Sequence, residues 1–397
     1  MDRTLELRIE SLAAGGDGVA HEPSGRVVFV PLTAPGDLVR VRLLTSRKRF
    51  ARGEVTELLE PGPSRTQPPC PVFGTCGGCA WQHVDYDTQI AAKRRIVVDA
   101  FRRIGKLDPG DDVPFTPSPR LYGYRNRARL VQEGPDLGYR MRRSHALCAV
   151  KECAVLQPEL EAVLGQEHPP AAAGGSREWE IAVGTGGAPR AWADDEPGEG
   201  AVEIAVGEDR LRVSRGVFAQ GNAWLVEALV RAVLREATRD AATTSVLELY
   251  AGAGLFTLGL ARAFDCAWAV ESHPGAVRDL RFNLDRAGLG NVDVRSGTAE
   301  EVLPRLSLRE PDVVVMDPPR VGAAHEAILA IAELRPRRVV YLSCDPATQA
   351  RDLGVLRDHG YRLERLEGFD LFPQTPHVEA LATFVRGAGS GLDETVA

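Results

Sequence analysis

Short β-rich runs alternate with helical stretches over the C-terminal part of the chain, and no other feature constrains the fold as much. The β-rich runs are VLELYAG, AWAVES, DVVVMDPP, RVVYLSC and ALATFV, and helical stretches such as AVRDLRFNLDRAG separate them. Strands that alternate with helices form parallel sheets, because each helix carries the chain back across one face of the sheet. The pattern predicts a doubly wound, mostly parallel sheet covered by helices over residues 226–387.

The rest of the chain has a different pattern. Four β-type runs near the N-terminus, LELRIESL, RVVFVPL, DLVRVRLL and RGEVTELLE, are broken by Gly, Pro and Asp, which predicts a small β-barrel over residues 1–62. Residues 63–225 mix a helix predicted over 86–104 with strands, which indicates a central α+β domain. Residues 168–178 are a predicted loop, and residues 388–397 a predicted disordered tail. The chain is therefore expected to be a multidomain α/β protein.

The composition is typical of a globular protein, with 44% hydrophobic and 26% charged residues. No run approaches the ~18 apolar residues that a membrane span requires, and the start, MDRTLELRIE, lacks the pattern of a secretory signal. Seven cysteines are too few for a disulfide scaffold in a chain of 397 residues. We therefore expect a cytoplasmic protein without a membrane partner, and we take a monomer as the default.

Charge is distributed unevenly along the chain. The formal net charge is −7, yet residues 91–160 contain 14 Lys and Arg against 8 Asp and Glu. A basic segment inside an acidic chain is typical of a face that binds an anion such as nucleic acid. A solvated surface would have the same composition, so charge alone leaves both interpretations open.

Four cysteines form a candidate metal site. Cys70, Cys76 and Cys79 have the spacing C-x5-C-x2-C, and Cys153 follows far downstream. Iron–sulfur sites often combine clustered thiolates with one remote cysteine, and Cys148 is the rival fourth ligand. Four thiolates also suit zinc, so the pattern favours an iron–sulfur site only modestly. Three unrelated buried cysteines are the less favoured interpretation, because free thiols rarely cluster in a polar loop.

The first strand of the C-terminal sheet runs into a glycine-bearing turn. Gly252 and Gly254 would let the backbone pass close to a bound nucleotide or amino-acid group. Glu271 ends the next strand about twenty residues later, where an acid can accept hydrogen bonds from ribose hydroxyls. The pair fits an adenosyl ligand at least as well as a dinucleotide. A tight turn followed by a surface Glu, without any ligand, would have the same sequence pattern.

Polar residues also follow the later strands of this sheet. Asp317 and Arg320 lie in the loop MDPPRVGA, where two prolines fix the path of the chain. Cys344 ends another strand, where a thiol can act as a nucleophile. Glu379 opens the last strand and could be a general base. Each residue alone could equally be part of a strand-ending turn or of the surface.

Taken together, these motifs resemble the RNA 5-methyluridine methyltransferase family, and within it the branch that methylates 23S ribosomal RNA. Residues 4–60 resemble a TRAM domain, an RNA-binding β-barrel, and the four cysteines resemble the [4Fe–4S] site of that branch. The segments YGYRNRARL (122–130) and LGYRMRRSH (137–145) resemble its basic central strands. FAQGN (218–222) is similar to the family's Phe-x-Gln-x-Asn motif.

The resemblance implies a Rossmann-like class I methyltransferase domain that uses S-adenosylmethionine (SAM). It implies that the central arginines Arg125 and Arg127 bind RNA and that the cluster ligands are Cys70, Cys76, Cys79 and Cys153. The residues that it places around SAM are Gln220, Tyr250, Gly252, Glu271 and Asp317.

The implied mechanism assigns one task to each reactive side chain. The Cys344 thiolate would add to C6 of uracil and make C5 nucleophilic toward the SAM methyl group. Asp317 and Arg320 would hold the edge of the uracil and stabilise charge on its carbonyl. Glu379 would then remove the C5 proton, after which the thiolate leaves.

Two departures and several alternatives remain. Asp345 stands where the family more often has Asn, and a carboxylate there would raise the pKa of the Cys344 thiol unless it points away. The family's usual Asp-Leu-Phe-Cys-Gly also appears here in altered form, as Glu248, Leu249, Tyr250, Ala251 and Gly252. The alternatives are uracil-C5 methylation of tRNA, cytosine-C5 methylation, N6-adenine methylation, which needs no cysteine, and a non-catalytic RNA-binding protein.

Overall fold

The residues that a computed structural model of the chain describes are 4–166, 175–196, 198–306 and 311–387. They form four β-sheets and eight α-helices. None of these described helices is both long and apolar enough to span a lipid bilayer. Most of the predicted loop over 168–178 and all of the predicted tail over 388–397 lie outside the described residues.

The N-terminal residues form a six-stranded sheet. Its strands are β1 (Thr4–Arg8), β2 (Ser11–Leu12), β3 (Gly18–His21), β4 (Val27–Val30), β5 (Leu38–Ser46) and β6 (Phe50–Glu60). They lie in the order β1-β5-β6-β4-β3-β2. Val39 and Val41 alternate with more exposed residues along β5 and are fully buried, as expected of a strand with one face on a core. Closure of this sheet into a barrel stays a prediction.

The central part begins with a helix and contains a five-stranded antiparallel sheet. Helix α1 (Tyr86–Ala100) begins after Asp85, whose carboxylate accepts a hydrogen bond from the Thr88 N–H at 2.9 Å. One wider helical turn, Phe101–Gly105, follows it. The later elements are β7 (Phe115–Thr116), β8 (Arg127–Glu133), β9 (Asp136–Arg140), β10 (Leu147–Ala149), α2 (Pro158–Leu164), β11 (Ser176–Ala182) and β12 (Arg190–Ala193). The five-stranded sheet has the order β10-β9-β8-β11-β12.

A β-hairpin and helix α3 lead into an eight-stranded C-terminal sheet. The hairpin strands are β13 (Ala201–Val206) and β14 (Asp209–Ser214). The strands that follow are β15 (Ser245–Leu249), β16 (Cys266–Glu271), β17 (Val292–Ser296), β18 (Val313–Met316), β19 (Arg338–Ser343), β20 (Tyr361–Phe369) and β21 (Glu379–Arg386). The helices are α3 (Val226–Ala237), α4 (Thr257–Ala263), α5 (Pro274–Arg286), α6 (Ala299–Val302), α7 (His325–Leu334) and α8 (Pro346–Asp358).

The sheet order is β17-β16-β15-β18-β19-β21-β20-β7, and β15 to β19 are parallel. Strands β15, β18 and β19 are buried along their whole length, because helices cover both faces of the sheet. The chain leaves β15 toward β16 on one side and returns to β18 on the other. Ligands bind at such a switch point, beyond the carboxyl ends of the strands. The predicted doubly wound sheet is confirmed.

The C-terminal core includes residues from the central part of the chain. Val97 and Phe101 are buried in one hydrophobic cluster with Leu353 and Leu356 of α8. Strand β7 adds to the edge of the C-terminal sheet by pairing with β20. Elements from both sides of the proposed boundary at 225 therefore share one core, and the domain boundaries themselves stay a prediction.

Candidate active site

The carboxyl ends of the parallel strands open on one large cavity of about 1200 Å³. β21 runs antiparallel to β19, so its first residue lies at the same edge as the last residues of β19. Ser343 pairs with Ala380, which places Cys344 next to Glu379. Eight of the residues singled out in the sequence line this cavity, namely Gln220, Tyr250, Gly252, Glu271, Asp317, Arg320, Cys344 and Glu379.

The turn after β15 is shaped by left-handed backbone and fixed by Glu271. Tyr250 has φ of 62°, and Gly252 has φ of 56°; the tyrosine is in a conformation that a non-glycine residue rarely adopts. The Glu271 carboxylate accepts hydrogen bonds from the Gly252 N–H at 2.8 Å and the His273 N–H at 2.6 Å. It therefore ties the turn after β15 to the turn after β16, and both turns line the cavity.

Two parts of the cavity wall were not singled out in the sequence, and one buried carboxyl group, which does not itself line the cavity, stood out there only as a departure from the family motif. Glu248 is buried inside β15, and burial raises the pKa of its carboxyl to about 8. Its Oε2 atom has no hydrogen-bond partner in the described structure. Residues 297–300, which follow β17, line the cavity, and so does Ile204 of the β13–β14 hairpin. The hairpin precedes the alternating pattern, so that pattern gave no reason to place it here.

Burial and charge act together on the reactive side chains. Burial raises the pKa of the Cys344 thiol to about 12, with help from the negative charges of Glu379 and Asp317, while Arg320 opposes the rise. Burial also raises the pKa of Glu379 well above its ordinary value, and Asp317 adds to the effect. The Glu379 Oε2 atom has no partner within the described residues. The site thus holds a thiol and a carboxyl group whose pKa values are both raised.

Gln220 and Asp317 both line the cavity and interact through their side chains. Burial raises the pKa of Asp317 to about 7, and a hydrogen bond from the Gln220 side chain opposes this rise. The Gln220 Oε1 atom is buried and has no partner in the described structure. An acceptor atom in this state costs free energy unless a ligand donates to it. Gln220 therefore offers the cavity a free acceptor while its amide group holds Asp317.

Asp345 is turned toward helix α8. Its Oδ1 atom accepts hydrogen bonds from the N–H groups of Ala347 at 3.0 Å and Thr348 at 3.1 Å, and its Oδ2 atom lies 3.8 Å from Arg320 Nε. The carboxylate is thus engaged as a helix cap. Its effect on the pKa of Cys344 is smaller than that of Glu379 or Asp317.

The two arginines predicted to bind RNA do not line this cavity. The Arg127 guanidinium donates to the Val217 carbonyl and lies 3.6 Å from Glu180, and its side chain is mostly buried. Arg125 Nε donates to the Arg127 carbonyl at 2.8 Å, and Arg125 lines the cysteine cavity instead. The structure gives both residues protein partners, and their part in substrate binding stays a prediction.

The predicted metal ligands Cys70, Cys76, Cys79 and Cys153 line a second, small cavity. Burial raises the pKa of the Cys79 thiol to about 12, and the Tyr139 hydroxyl lies 3.7 Å from Cys153 Sγ. The rival ligand, Cys148, is buried in β10 and is not among the residues that line this cavity. Among the described residues, no group of three or more His, Cys, Asp or Glu side chains is close enough together to bind one metal ion. The donor atoms suit a metal, but their present positions do not form a complete site.

Comparison with known proteins places this geometry in a family. The tRNA (uracil-5-)-methyltransferase family model matches residues 199–386, and the TRAM domain model matches residues 3–56. An uncharacterised RNA methyltransferase of Thermosynechococcus vestitus is 33% identical, and the match covers 96% of this chain and 97% of the relative. One from Streptomyces coelicolor is also 33% identical, with 98% of this chain and 93% of the relative covered.

A solved structure has the same overall fold. It is the tRNA (uracil-54, C5)-methyltransferase of Pyrococcus abyssi in complex with S-adenosyl-L-homocysteine, with a TM-score of 0.72 and 22% identity. The match covers 96% of this chain and all of that chain. The uracil-5-methyltransferase family, the TRAM domain and the class I methyltransferase fold inferred from the sequence motifs are thereby confirmed, while the 23S rRNA branch and the iron–sulfur site stay predictions. The chain belongs to the tRNA (uracil-5-)-methyltransferase family and is a SAM-dependent RNA methyltransferase.

Proposed function

We propose that this enzyme transfers a methyl group from SAM to C5 of a uracil in 23S ribosomal RNA, through a covalent bond between Cys344 and the base. The observation that carries the proposal is the convergence of Cys344, Glu379, Asp317 and Arg320 on the cavity that the glycine turn and Glu271 also line. A methyltransferase that acts on a nitrogen would have no use for a cysteine beside a buried carboxyl group.

The residues fit the methyl donor on one side of the cavity. Glu271 would accept hydrogen bonds from ribose hydroxyls, Tyr250 and Gly252 would border the donor, and Gln220 would offer its free Oε1 atom. Asp317 and Glu379 add acidic groups to the same wall. When bound, SAM supplies an electrophilic methyl group on a positively charged sulfur. An acidic, partly buried wall favours such a charge.

The protein groups then divide the chemistry between them. C5 of uracil is a weak nucleophile, so the Cys344 thiolate adds to C6 and the electron pair moves to C5 and the carbonyl oxygen. Asp317 accepts a hydrogen bond from an N–H at the edge of the base, and Arg320 stabilises the charge on that oxygen. After C5 accepts the methyl group, the Glu379 carboxylate removes the C5 proton. The thiolate then leaves and the double bond re-forms.

The uridine has to leave its stack to reach Cys344. Unstacking a base costs a few kcal/mol, and less when the base lies in a single-stranded loop. The mouth of the cavity carries apolar surface that a base can cover, since Phe218 is 73% exposed and Val321 is 75% exposed while both line the cavity. The TRAM domain and the basic segment 91–160 would contribute binding through phosphate contacts.

The choice of 23S rRNA rests on the cysteine motif, whose spacing resembles that of the rRNA branch. We propose that Cys70, Cys76, Cys79 and Cys153 bind a [4Fe–4S] cluster with a structural role. The proposal is supported by their common cavity, which Cys148 does not line. The polar residues that line this cavity besides the cysteines are Gln82, Tyr124, Arg125, Tyr139 and Glu152, and a cluster there would tie the segments that carry them together.

Metal analysis of protein purified without oxygen tests the cluster. We expect four iron and four sulfide per chain, which is the composition of one [4Fe–4S] cluster, and a visible absorption band that disappears on oxidation. Cys76→Ser should lose iron, stability and RNA affinity together, whereas Cys148→Ser should keep the iron. If the analysis finds one zinc per chain and no sulfide, the four cysteines bind zinc and the cluster is refuted. An iron-free Cys76→Ser protein with wild-type stability would contradict the structural role.

Nucleoside analysis of the product tests the reaction and the substrate. The enzyme is incubated with labelled SAM and either 23S rRNA or bulk tRNA, each from cells that lack the modification. We expect 5-methyluridine in 23S rRNA, and none with Cys344→Ala. Label in 5-methylcytidine or N6-methyladenosine would refute the uracil-C5 assignment. Exclusive methylation of tRNA would keep the chemistry and refute the substrate.

A further inference from the structure

An arginine and a tryptophan form an exposed stack beside the active site. The Arg120 guanidinium carbon lies 3.7 Å from the centre of the Trp224 ring, which is van der Waals contact. Trp224 is 45% exposed, and Arg120 is exposed as well. In the part of the chain that the structure describes, no carboxylate pairs with the Arg120 guanidinium. The stack therefore presents an aromatic surface together with a positive charge that is not neutralised.

Buried hydrogen bonds hold the stack in place. The Asn222 amide donates to Ser118 Oγ at 3.0 Å, and Ser118 Oγ donates to the Arg120 carbonyl at 2.7 Å. The backbone N–H of Trp224 donates to Asn222 Oδ1 at 3.1 Å. One fully buried amide thus fixes the segments that carry both members of the stack. The surface is preorganised, which reduces the entropy lost when a ligand binds.

The same amide connects the stack to the catalytic wall. The Asn222 amide also donates to the Leu371 carbonyl, in the segment that leads to Glu379. Trp224 stands in the chain between Gln220 and Val226, both of which line the active-site cavity. Trp224 therefore belongs to a segment that contributes residues to the cavity wall, while Trp224 and Arg120 themselves lie outside the lining.

A second exposed aromatic side chain provides a contrast. Phe282 is 43% exposed, close to the value for Trp224, and two arginines approach its ring at 5.1 Å and 5.3 Å. Both are paired with acids, Arg212 with Asp279 and Arg286 with Glu203. Like the two members of the stack, Phe282 is not among the residues that line the cavity. It has the residue types of the stack, but both of its arginines are paired with acids.

We infer that Arg120 and Trp224 form a stacking subsite for the base of a nucleotide next to the target uridine. When the uridine leaves its stack, the neighbouring base loses a partner that an aromatic or guanidinium plane can replace. The free positive charge also suits a chain of phosphates. Stacking accepts any base, so this subsite would add affinity without choosing the sequence. The inference rests on the proposed function, because it assumes an extruded nucleotide.

Binding measurements with the full chain test the subsite. The probe is a fluorescent single-stranded RNA of about 15 nucleotides with one central uridine, in wild-type, Trp224→Ala, Trp224→Phe and Arg120→Ala proteins. We expect about a 5- to 100-fold loss of affinity in Trp224→Ala, a smaller loss in Arg120→Ala, and near wild-type binding in Trp224→Phe. Phe282→Ala is the matched control and should bind like the wild type.

Abasic probes identify what occupies the subsite. Removing one base next to the uridine should weaken wild-type binding but not add to the loss in Trp224→Ala. The inference is overturned if Trp224→Ala binds RNA like Phe282→Ala, or if the abasic and Trp224→Ala losses add at every position. If the wild-type enzyme does not methylate uracil at C5, the proposed function is refuted. The binding measurements would still show whether the stacking subsite exists.

Discussion

Cys344 and Glu379 lie side by side in a wall that disfavours negative charge on either of them. Burial and the neighbouring Asp317 raise both pKa values, which favours the neutral form of each group in the free protein. A thiolate is needed for addition to C6, and Arg320 is the cavity cation that favours it. The same burial makes Glu379 a stronger base once it is ionised.

Glu379→Gln should separate the two chemical steps. Cys344 can still add to C6, and C5 can still be methylated, but no carboxylate removes the C5 proton. We expect turnover to fall by ~10²–10⁴-fold while a covalent complex with ordinary RNA accumulates on a denaturing gel. The double variant Cys344→Ala, Glu379→Gln should form no such complex. Wild-type turnover in Glu379→Gln would contradict its role as the base.

Glu248 should make stability depend on pH. Burial raises the pKa of its carboxyl from 4.5 to about 8. Between these values the folded protein holds a proton that the unfolded chain has lost, so stability falls as pH rises from 4.5 toward 8. Glu248→Gln removes this term, and its Tm should fall less than that of the wild type between pH 5 and pH 8. Glu227→Gln, an exposed helical control, should follow the wild type; equal slopes for wild type and Glu248→Gln would contradict the account.

At the scale of elements, a buried ion pair fixes the segment before Glu379. Lys93 of helix α1 lies 2.5 Å from Asp370, just after β20, and both side chains are fully buried. The Lys93 ammonium also donates to the Phe372 carbonyl at 2.9 Å. In the same segment, the N–H groups of Ala80 and Trp81 donate to the Gln374 carbonyl. Helix α1 and the residues that follow Cys79 thus fix the segment that leads to Glu379, the proposed general base.

Lys93→Met should show how much this pair contributes. It leaves the Asp370 carboxylate buried without its cation, which costs about 3–5 kcal/mol. Adding Asp370→Asn removes the stranded charge, so the double variant should recover much of the loss. Denaturant unfolding of the two variants measures both values. A single variant as stable as the wild type, or a double variant less stable than the single one, would contradict this arrangement.

Which elements form could be predicted from local pattern, but which distant side chains meet could not. The alternating apolar runs predict the sheet and place Asp317 and Cys344 at strand ends that meet at one edge. Glu379 opens its strand and lies next to Cys344 only because β21 runs antiparallel to β19, which the pattern did not indicate. Lys93 and Asp370 are 277 residues apart in the chain, and no local pattern connects them. Arg127 belongs to a basic run that suggested an RNA-binding surface, yet the fold buries it between Val217 and Glu180.

At the scale of the whole molecule, one carboxylate joins the N-terminal sheet to the central strands. Asp17, whose side chain is 5% exposed, accepts hydrogen bonds from Arg52 at 3.1 Å, Arg142 at 3.1 Å and Arg143 at 2.9 Å. Three cations share one anion, so the junction keeps a positive excess. Asp17 thereby stabilises the joint and reduces the positive potential that RNA would meet.

Asp17→Asn should change stability and RNA affinity in opposite directions. Hydrogen bonds to a charged group contribute about 1.5–3 kcal/mol, so we expect a loss of that order in the free energy of unfolding. Removing one negative charge should tighten RNA binding at low salt by a few fold, with the difference fading as salt rises. Asp285→Asn, an exposed change of equal charge on α5, should do neither. Weaker RNA binding in Asp17→Asn at low salt would contradict this electrostatic account.

The measurement that tests the central claim most directly is intact-mass analysis of the enzyme after reaction with SAM and 23S rRNA fragments that contain 5-fluorouridine, followed by peptide mapping. Fluorine at C5 takes the place of the proton that Glu379 would remove, so the covalent intermediate cannot resolve. We predict a methylated RNA adduct on the peptide that contains Cys344. No adduct, with binding of both ligands verified, or an adduct on another residue would contradict covalent catalysis by Cys344.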